Sequence, residues 1–526
     1  MKPNTAQRSY TKSTPAPVGG LNDRDSIASM PEQDAITLTN MFPNTNSVDI
    51  RGGSVEHLTG LPAVGETLMS YNGVSGNKLY VAAGTAIYDA TTAGAVGAAV
   101  VSAMANARWD YVNFGGASGN FLCAVNGVNL PQFYNGTAWT ASGTGYATAI
   151  TGVAAVNFNQ VNAWKNRLFF VEKNTLKCWY LGVQSIGGAA TAIDFAGVAK
   201  LGGKLIATAT VSVSAGSTID DFLVAITSEG EVMIYQGTDP ASAATFGLVG
   251  NYRIGRPIAN GTDNQGGRFL ARLSSQLVSI TIGGFVNLQD SINTDVQAKR
   301  ATINDKIVNT VSRAVDKYKA NFGWQALVAP AHNKLFINVP TTQGSGAYQY
   351  VMNTITGAWS VFEGWNTACL GYFNDDVYGC IGTKVYRLDI AQSNDFVAAG
   401  NVGTPVSGLV ETAYQYHGNR GALKSYKMVR PLFFSSSQVY PGITVNIDFK
   451  NGATQGTASS VASTGALWDV ALWDVALWPG ADVFSQNWAS VFGIGYCSSL
   501  RMSIKCDSQL CQFQAWDIIY ERGGLM

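Results

Sequence analysis

Charge is scarce in this sequence. Of 526 residues only 13% are charged, 34 Lys and Arg against 34 Asp and Glu, where a globular chain usually carries ~25%. Neutral balance, with no basic run beyond the pair Lys299-Arg300, argues against tight duplex binding, which depends on neutralising phosphates. It leaves room for DNA as cargo, because a conduit works best without a grip. Histidine is scarcer still: His57, His332 and His417 stand far apart, without zinc-type spacing, and read as surface or turn residues. No apolar stretch reaches the ~18–20 residues that span a bilayer. Met1 to Pro17 is polar and rich in Ser, Thr and Pro, with no hydrophobic core of a signal peptide. Seven cysteines, an odd number spread from Cys123 to Cys511, make no disulfide framework, so the expectation is folding in a reducing cytoplasm. No phosphate-cradling GxxxxGK[ST] loop occurs, and Gly143-Thr144-Gly145 and Gly493-Ile494-Gly495 lack the third glycine of a dinucleotide fingerprint. No cofactor, metal or enzymatic role is expected.

What is abundant is glycine, 58 residues, together with 11% aromatics. Both suit close-set strands and tight turns. From about Tyr71 a pattern recurs: a β-branched or aromatic run, a Gly/Asn turn, a second run. Leu79–Ala82 precedes Gly84 and Ala86–Tyr88; Phe121–Val125 precedes Asn126-Gly127 and Gln132–Tyr134. The same form returns at 168–180, 222–235, 335–352 and 377–388, with extra outer strands ending at Trp139 and Trp359. These are hairpin signals, and units spaced by tens of residues predict propeller blades with inserted loops. Ile303, Ile307, Val311, Val315 and Tyr318 recur at helical spacing, and Thr302 with Asp305 resembles a capping box at the helix start. Past about Ala398, Ile443, Val445, Ile447 and Phe449 alternate with polar residues up to a turn at Asn451-Gly452. Leu500, Met502 and Ile504 alternate likewise, and a return strand is expected from Cys511 to Tyr520. The predicted fold is mainly β: an N-terminal arm and platform segment (1–60), a β-propeller (61–397) with a short helical insertion near 296–320, and a C-terminal antiparallel β domain (398–526).

Few residues suggest chemistry. Asp220-Asp221 and Asp375-Asp376 each precede a β run, and carboxylate pairs do serve glycosidases, but turns favour Asp in such places anyway. Cys506 and Cys511 flank a turn and lack the further soft ligands of a metal site, so they read as small buried thiols. The segment Leu467-Trp468-Asp469-Val470-Ala471 repeats as Leu472-Trp473-Asp474-Val475-Ala476 and continues as Leu477-Trp478-Pro479. A five-residue period fits neither strand nor helix. It reads as a tandem duplication in a loop, or as a partner-docking segment through Trp468, Trp473 and Trp478.

Gly19-Gly20-Leu21-Asn22-Asp23-Arg24-Asp25, Met30-Pro31, Asn40-Met41-Phe42-Pro43 and Val48-Asp49-Ile50-Arg51-Gly52-Gly53 together resemble the opening of podovirus tail nozzle proteins, the tail tubular protein B family. Gly323-Trp324-Gln325, Asn333 to Pro340, Tyr350 to Asn353 and Thr356-Gly357-Ala358-Trp359 extend the resemblance, as do Glu411 to Tyr414 and Val429-Arg430-Pro431. The resemblance implies a structural protein of a short-tailed bacteriophage, assembled in the host bacterial cytoplasm and residing in the virion tail. It implies a hexamer, one propeller per subunit, below the portal and adaptor ring, that anchors tail fibres or spikes outside and conducts and gates genomic DNA, which passes through transiently during ejection. Blade-like sheets gathered round an axis would then make a passive pore. The Trp-Asp-Val-Ala-Leu repeat is no part of that likeness. The rival readings are a tail fibre or receptor-binding protein recognising carbohydrate through tryptophan, and a propeller glycan hydrolase.

Overall fold

The computed structural model describes residues 9–214, 219–242, 244–258, 266–273, 276–289, 302–436, 438–452, 454–455, 457–459, 483–507 and 511–523. Trp468, Trp473 and Trp478 lie outside them, as does the start of the expected helical insertion. The six hairpins anticipated in the propeller region are present: 80–83 pairs with 86–89, 122–124 with 132–134, 169–171 with 178–180, 223–226 with 232–235, 334–340 with 347–353 and 377–381 with 384–388. Turn chemistry explains the tight ones. Asn374 and Asp375 both take positive φ, +47° and +64°, the geometry that matches the twist of flanking strands.

The protein is a β-propeller joined to other antiparallel sheets. Small sheets spanning 65–89, 110–141, 158–194, 205–253, 270–287, 325–362 and 369–390 follow in chain order. Successive sheets touch through their inner strands and hairpin partners, and Cys369–Phe373 returns against Gly65–Tyr71 to complete the ring. Apolar side chains on both sheet faces fill the seams: Met69, Tyr80, Trp109 and Leu122 in one, Phe114, Phe133, Phe158 and Phe170 in the next. Each such burial stabilises by about 1.5–3 kcal/mol. Trp139 and Trp359 open their outer strands, Trp139–Ala141 and Trp359–Phe362, rather than ending them.

The last blade takes its outer strand from the other end of the sequence. Gly53–Thr59 pairs antiparallel with Lys384–Ile390. Other N-terminal strands serve the C-terminal domain. Ser9–Pro15 lies along Cys511–Arg522, and Asp34–Thr39 pairs with Thr404–Thr412 while also touching the blade strand Trp359–Phe362. Residues 9–59 therefore splice the propeller to a two-layer sandwich. One layer holds Lys424–Ser435 and Cys511–Arg522; the other holds Thr404–Thr412, Ser498–Cys506 and Gly442–Ile447. Their inner faces meet in a core of Tyr426, Phe433, Leu500, Met502 and Trp516, all buried.

Three local expectations change. Cys511–Arg522 does not pair with Ser498–Cys506 but crosses to the opposite layer, because Phe513, Trp516, Ile518 and Tyr520 cover the core from the other side. The turn after Gly442–Ile447 forms at Asp448 and Phe449, both at positive φ, ahead of Asn451-Gly452. Asp221 lies within strand Ile219–Thr227, its carboxylate bound by Ser212 at 2.6 Å, so the Asp220-Asp221 pair is not a turn.

Helix α1 spans Val308–Tyr318 after a 3-10 turn at Asp305–Ile307, and buries Val311, Ala314 and Val315. Neither Thr302 nor Asp305 caps it. Asp23 does, from 285 residues upstream of Val308: its carboxylate accepts from the backbone N–H of Thr310 and, at 3.3 Å, of Asn309. Removing an N-cap acceptor costs ~1 kcal/mol, so Asp23→Ala is expected to lower stability by about that amount in urea titration, with Asp305→Ala the smaller effect.

Candidate functional site

A propeller concentrates inner-strand side chains at its axis, so ligands would be sought there first. Here the axis is filled. The segment Gly266–Phe269 crosses it, and Gly266, at φ +56°, has no room for a side chain: a Cβ would sit 2.7 Å from that of Asp110. Arg268, 9% exposed, donates from Nη2 to Thr67 Oγ1 at 2.6 Å and to the Glu66 carbonyl. Arg108 pairs with Glu66 at 3.2 Å. Both guanidiniums lie against Phe322, at 4.0 and 4.7 Å from the ring centroid, a geometry that favours cations. Gly266–Phe269 thus ties the first two sheets to the strand Leu270–Leu273 that follows it.

The ionisable groups that converge on the axis hold blades together. Asp110 accepts the N–H of Val161 at 2.9 Å in the next blade and that of Gly267 at 2.8 Å. Burial pushes its carboxyl up to about 6, against the lowering effect of those two amides. Gln160 grips Thr208 of the following blade through both its amide atoms, at 3.0 and 3.1 Å. Gln325 grips Leu370 in the same way, both bonds 2.8 Å. Thr67 Oγ1 accepts the N–H of Trp109 at 3.0 Å. Thus one polar side chain on an inner strand substitutes for the ladder that no backbone can make across a blade seam. A glycosidase needs two carboxyls facing a substrate across an open cleft. Glu66 and Asp110 instead face an arginine and backbone amides.

The other flagged residues are dispersed. His57 Nε2 meets the Ala90 carbonyl at 2.8 Å. His332 lies in the turn Pro330–His332 and bonds Asp389 at 2.9 Å. That contact holds the imidazole above its ordinary value. Asp375 sits in its hairpin turn as expected. His417 also lies in a turn, at φ +48°, yet is buried in the sandwich rather than on the surface. Its Nε2 is 2.8 Å from Ser498 Oγ, while Nδ1 has no partner. A nucleophilic serine needs an accessible hydroxyl and an oriented base; Ser498 is fully buried and this histidine lacks an orienting acid. All seven cysteines are buried and free. Among the described residues no cluster of His, Cys, Asp and Glu could hold a metal ion, and no helix is long and apolar enough to cross a membrane.

Sequence reasoning missed the residues with the densest contacts. Arg51, 1% exposed, uses all its donors: Nε to Asn40 Oδ1 at 2.9 Å, Nη1 to Asp395 Oδ1 at 2.9 Å and the Gly52 carbonyl at 2.8 Å, Nη2 to Asp395 Oδ2 at 2.6 Å and the Glu363 carbonyl at 2.9 Å. Its guanidinium stacks on Trp365 at 4.2 Å. The only signal was an arginine set between Ile50 and the glycine pair Gly52-Gly53.

No family model and no curated protein matches the chain. Solved structures similar to it include BBS1N in complex with ARL6DN, at 9% identity and TM-score 0.39, over 64% of this chain and 98% of that one. The extracellular domain of the putative hybrid two-component system BT3049 from B. thetaiotaomicron matches at 11% identity and TM-score 0.38, over 70% and 48%. Exo-beta-1,3-galactanase from Phanerochaete chrysosporium matches at 8% identity and TM-score 0.27, over 75% and 99%. At these values the matches bear on neither substrate nor partner.

Proposed function

We propose that this chain is a structural subunit of the tail nozzle of a short-tailed bacteriophage. Copies stand side by side as a ring, six-fold by the resemblance, under the portal and adaptor; DNA passes through the opening between subunits, and fibres or spikes attach outside. The observation that supports this reading most is the splice: N-terminal strands run first in the sandwich and then in the last propeller blade, tying two units into one wall. A wall element has to resist load, and contacts between residues hundreds of positions apart serve that need. The use of inner-strand polar groups to clamp one blade to the next supports a scaffold role. Neutral charge suits a channel that lets a polyanion slide.

The test is the mass and shape of the assembly. Native mass measurement and electron microscopy of purified protein and of virions are expected to show rings of this chain at the tail, and no retention of duplex DNA at physiological salt. A chain that stays monomeric at every concentration and is missing from virions would rule the proposal out.

A further inference from the structure

Two of the buried thiols face each other where the last blade meets the first. Cys369 and Cys380 stand directly opposite in the antiparallel pair Cys369–Phe373 and Asp376–Ile381. Opposed residues in such a pair keep their Cα atoms ~4.5–5.5 Å apart, within the ~4.4–6.8 Å that a disulfide spans, and their side chains share one face. The Cys380 thiol donates to the sulfur of Cys369. Strand Gly65–Tyr71 of the first blade lies over both. Cys369 Sγ donates to the Gly65 carbonyl at 3.4 Å, and a Cβ on Gly65 would fall 2.6 Å from Cys380 Sγ. Glycine at that position lets the first blade settle onto the sulfurs.

Arg268 supplies a cation beside them. Its Nη2 is bonded to Thr67 and Glu66, but Nη1 is buried without a partner, and Cys369 is the anionic group that acts on it most strongly. A buried donor left without an acceptor is costly, which favours an anion next to it. Burial opposes ionisation of Cys369, yet the Cys380 thiol and the Arg268 charge together hold it below the ordinary thiol value. Cys511 makes the contrast. It too touches a thiol, that of Cys506, but its donation to Cys506, its burial and the nearby carboxylate of Asp49 hold it well above that value.

We propose that Cys369 and Cys380 form a peroxide-sensitive dithiol, Cys369 the attacking sulfur and Cys380 the resolving one, which oxidises to a disulfide clipping the last blade's hairpin at its seam with the first. The Cys369 thiolate attacks one oxygen of hydrogen peroxide; the O–O bond breaks, a sulfenic acid forms on Cys369 and hydroxide leaves. Cys380 then attacks that sulfur, the S–O bond breaks, and the sulfenic hydroxyl departs as water with the Cys380 proton. The hydroxide takes up the proton that Cys369 had released. Two thiols and one peroxide thus yield one disulfide and two waters, the sulfurs losing the two electrons that the peroxide gains. Both sulfurs are buried, so peroxide meets them when the seam opens locally. The reaction is complete within one chain, independently of whether subunits form a ring.

The experiment incubates the full, reduced chain with hydrogen peroxide, blocks the remaining thiols with an alkylating reagent under denaturing conditions, and digests with chymotrypsin, which cuts between the two cysteines at Phe373. Mass spectrometry is expected to show the Cys369 and Cys380 fragments joined, two hydrogens lighter than their sum. This link should appear several-fold sooner than a Cys506–Cys511 link or any oxidation of Cys123 or Cys178. Cys380→Ser should abolish the link and leave a sulfenic acid on Cys369 that dimedone traps, whereas Cys369→Ser should leave Cys380 unlabelled. In the Cys380→Ser chain, Arg268→Gln should slow dimedone trapping several-fold, and Arg268→Lys, which keeps the charge, should restore part of the rate. Cys369 and Cys380 that stay alkylated throughout, or react only after the other cysteines, would overturn the proposal. That comparison is made within the unaltered chain, so it stands even if a variant folds poorly. Dimedone on Cys380 in the Cys369→Ser chain, as fast as on Cys369 in the Cys380→Ser chain, would overturn it too.

Discussion

Arg51→Met is expected to destabilise the protein by about 3–5 kcal/mol, because it strands Asp395 as an unpaired buried charge. Asp395 would keep Trp365 Nε1 at 2.8 Å and Ser54 Oγ at 3.2 Å, but those are neutral donors. The cost is also spread over three parts of the chain. Asn40, Glu363 and Asp395 are drawn together by one guanidinium, and Asn40 itself accepts the Glu363 N–H at 2.8 Å and donates to the Ser407 carbonyl at 2.9 Å. Arg51→Lys should lose much of the same stability, since an ammonium cannot make the bidentate fork or stack on Trp365. Arg51→Met with Asp395→Leu should recover most of the loss, as replacing both members of a buried pair by apolar groups often does. Urea unfolding followed by tryptophan fluorescence reads all three. A single Arg51→Met chain within 1 kcal/mol of the wild type would show that the cluster is incidental.

Acid should loosen the sandwich through His417. Burial, reinforced by the ammonium of Lys424, pushes its imidazole down to about 3, against ~6.5 in an unfolded chain. Between those values the unfolded state holds a proton that the folded state refuses, so stability falls as pH drops from 6.5 towards 3. The whole window amounts to something on the order of 5 kcal/mol. Lys424 cannot swing away to relieve the site, because its ammonium is held by the carbonyls of Asn419, Ala422 and Tyr496 at 2.7–3.0 Å. Asn tolerates positive φ, so His417→Asn keeps the turn. It should be less stable at neutral pH for lack of ring packing on Tyr520, yet lose less stability between pH 6.5 and 4. Parallel curves for the two proteins would refute the assignment.

The hairpins were legible because each needs only neighbours: an alternating run, a residue tolerant of positive φ, a second run. The helix was legible for the same reason, its apolar positions lying within one segment. Its cap was not, since Asp23 acts across a fold that no local spacing records. Arg51 and Asp395, 344 positions apart, leave no period either. The pairing of Cys511–Arg522 failed because alternation tells which side chains are inward but not which of two layers they face inward from. At the axis, Gln160 and Gln325 look like ordinary polar residues on strands, and only the ring geometry makes each a clamp on the next blade.

The outer strand of the last blade has a consequence for the order of events during synthesis. Gly53–Thr59 emerges from the ribosome more than 300 residues before Lys384–Ile390, its partner. Until then it lacks that partner, an edge of the sort prone to wrong ones, and the last blade is incomplete. Closure is thus a late, long-range step, and topology of that type folds slowly. Shortening the chain from the front past Thr59 would strip the last blade of its outer strand and leave Lys384–Ile390 as the exposed edge.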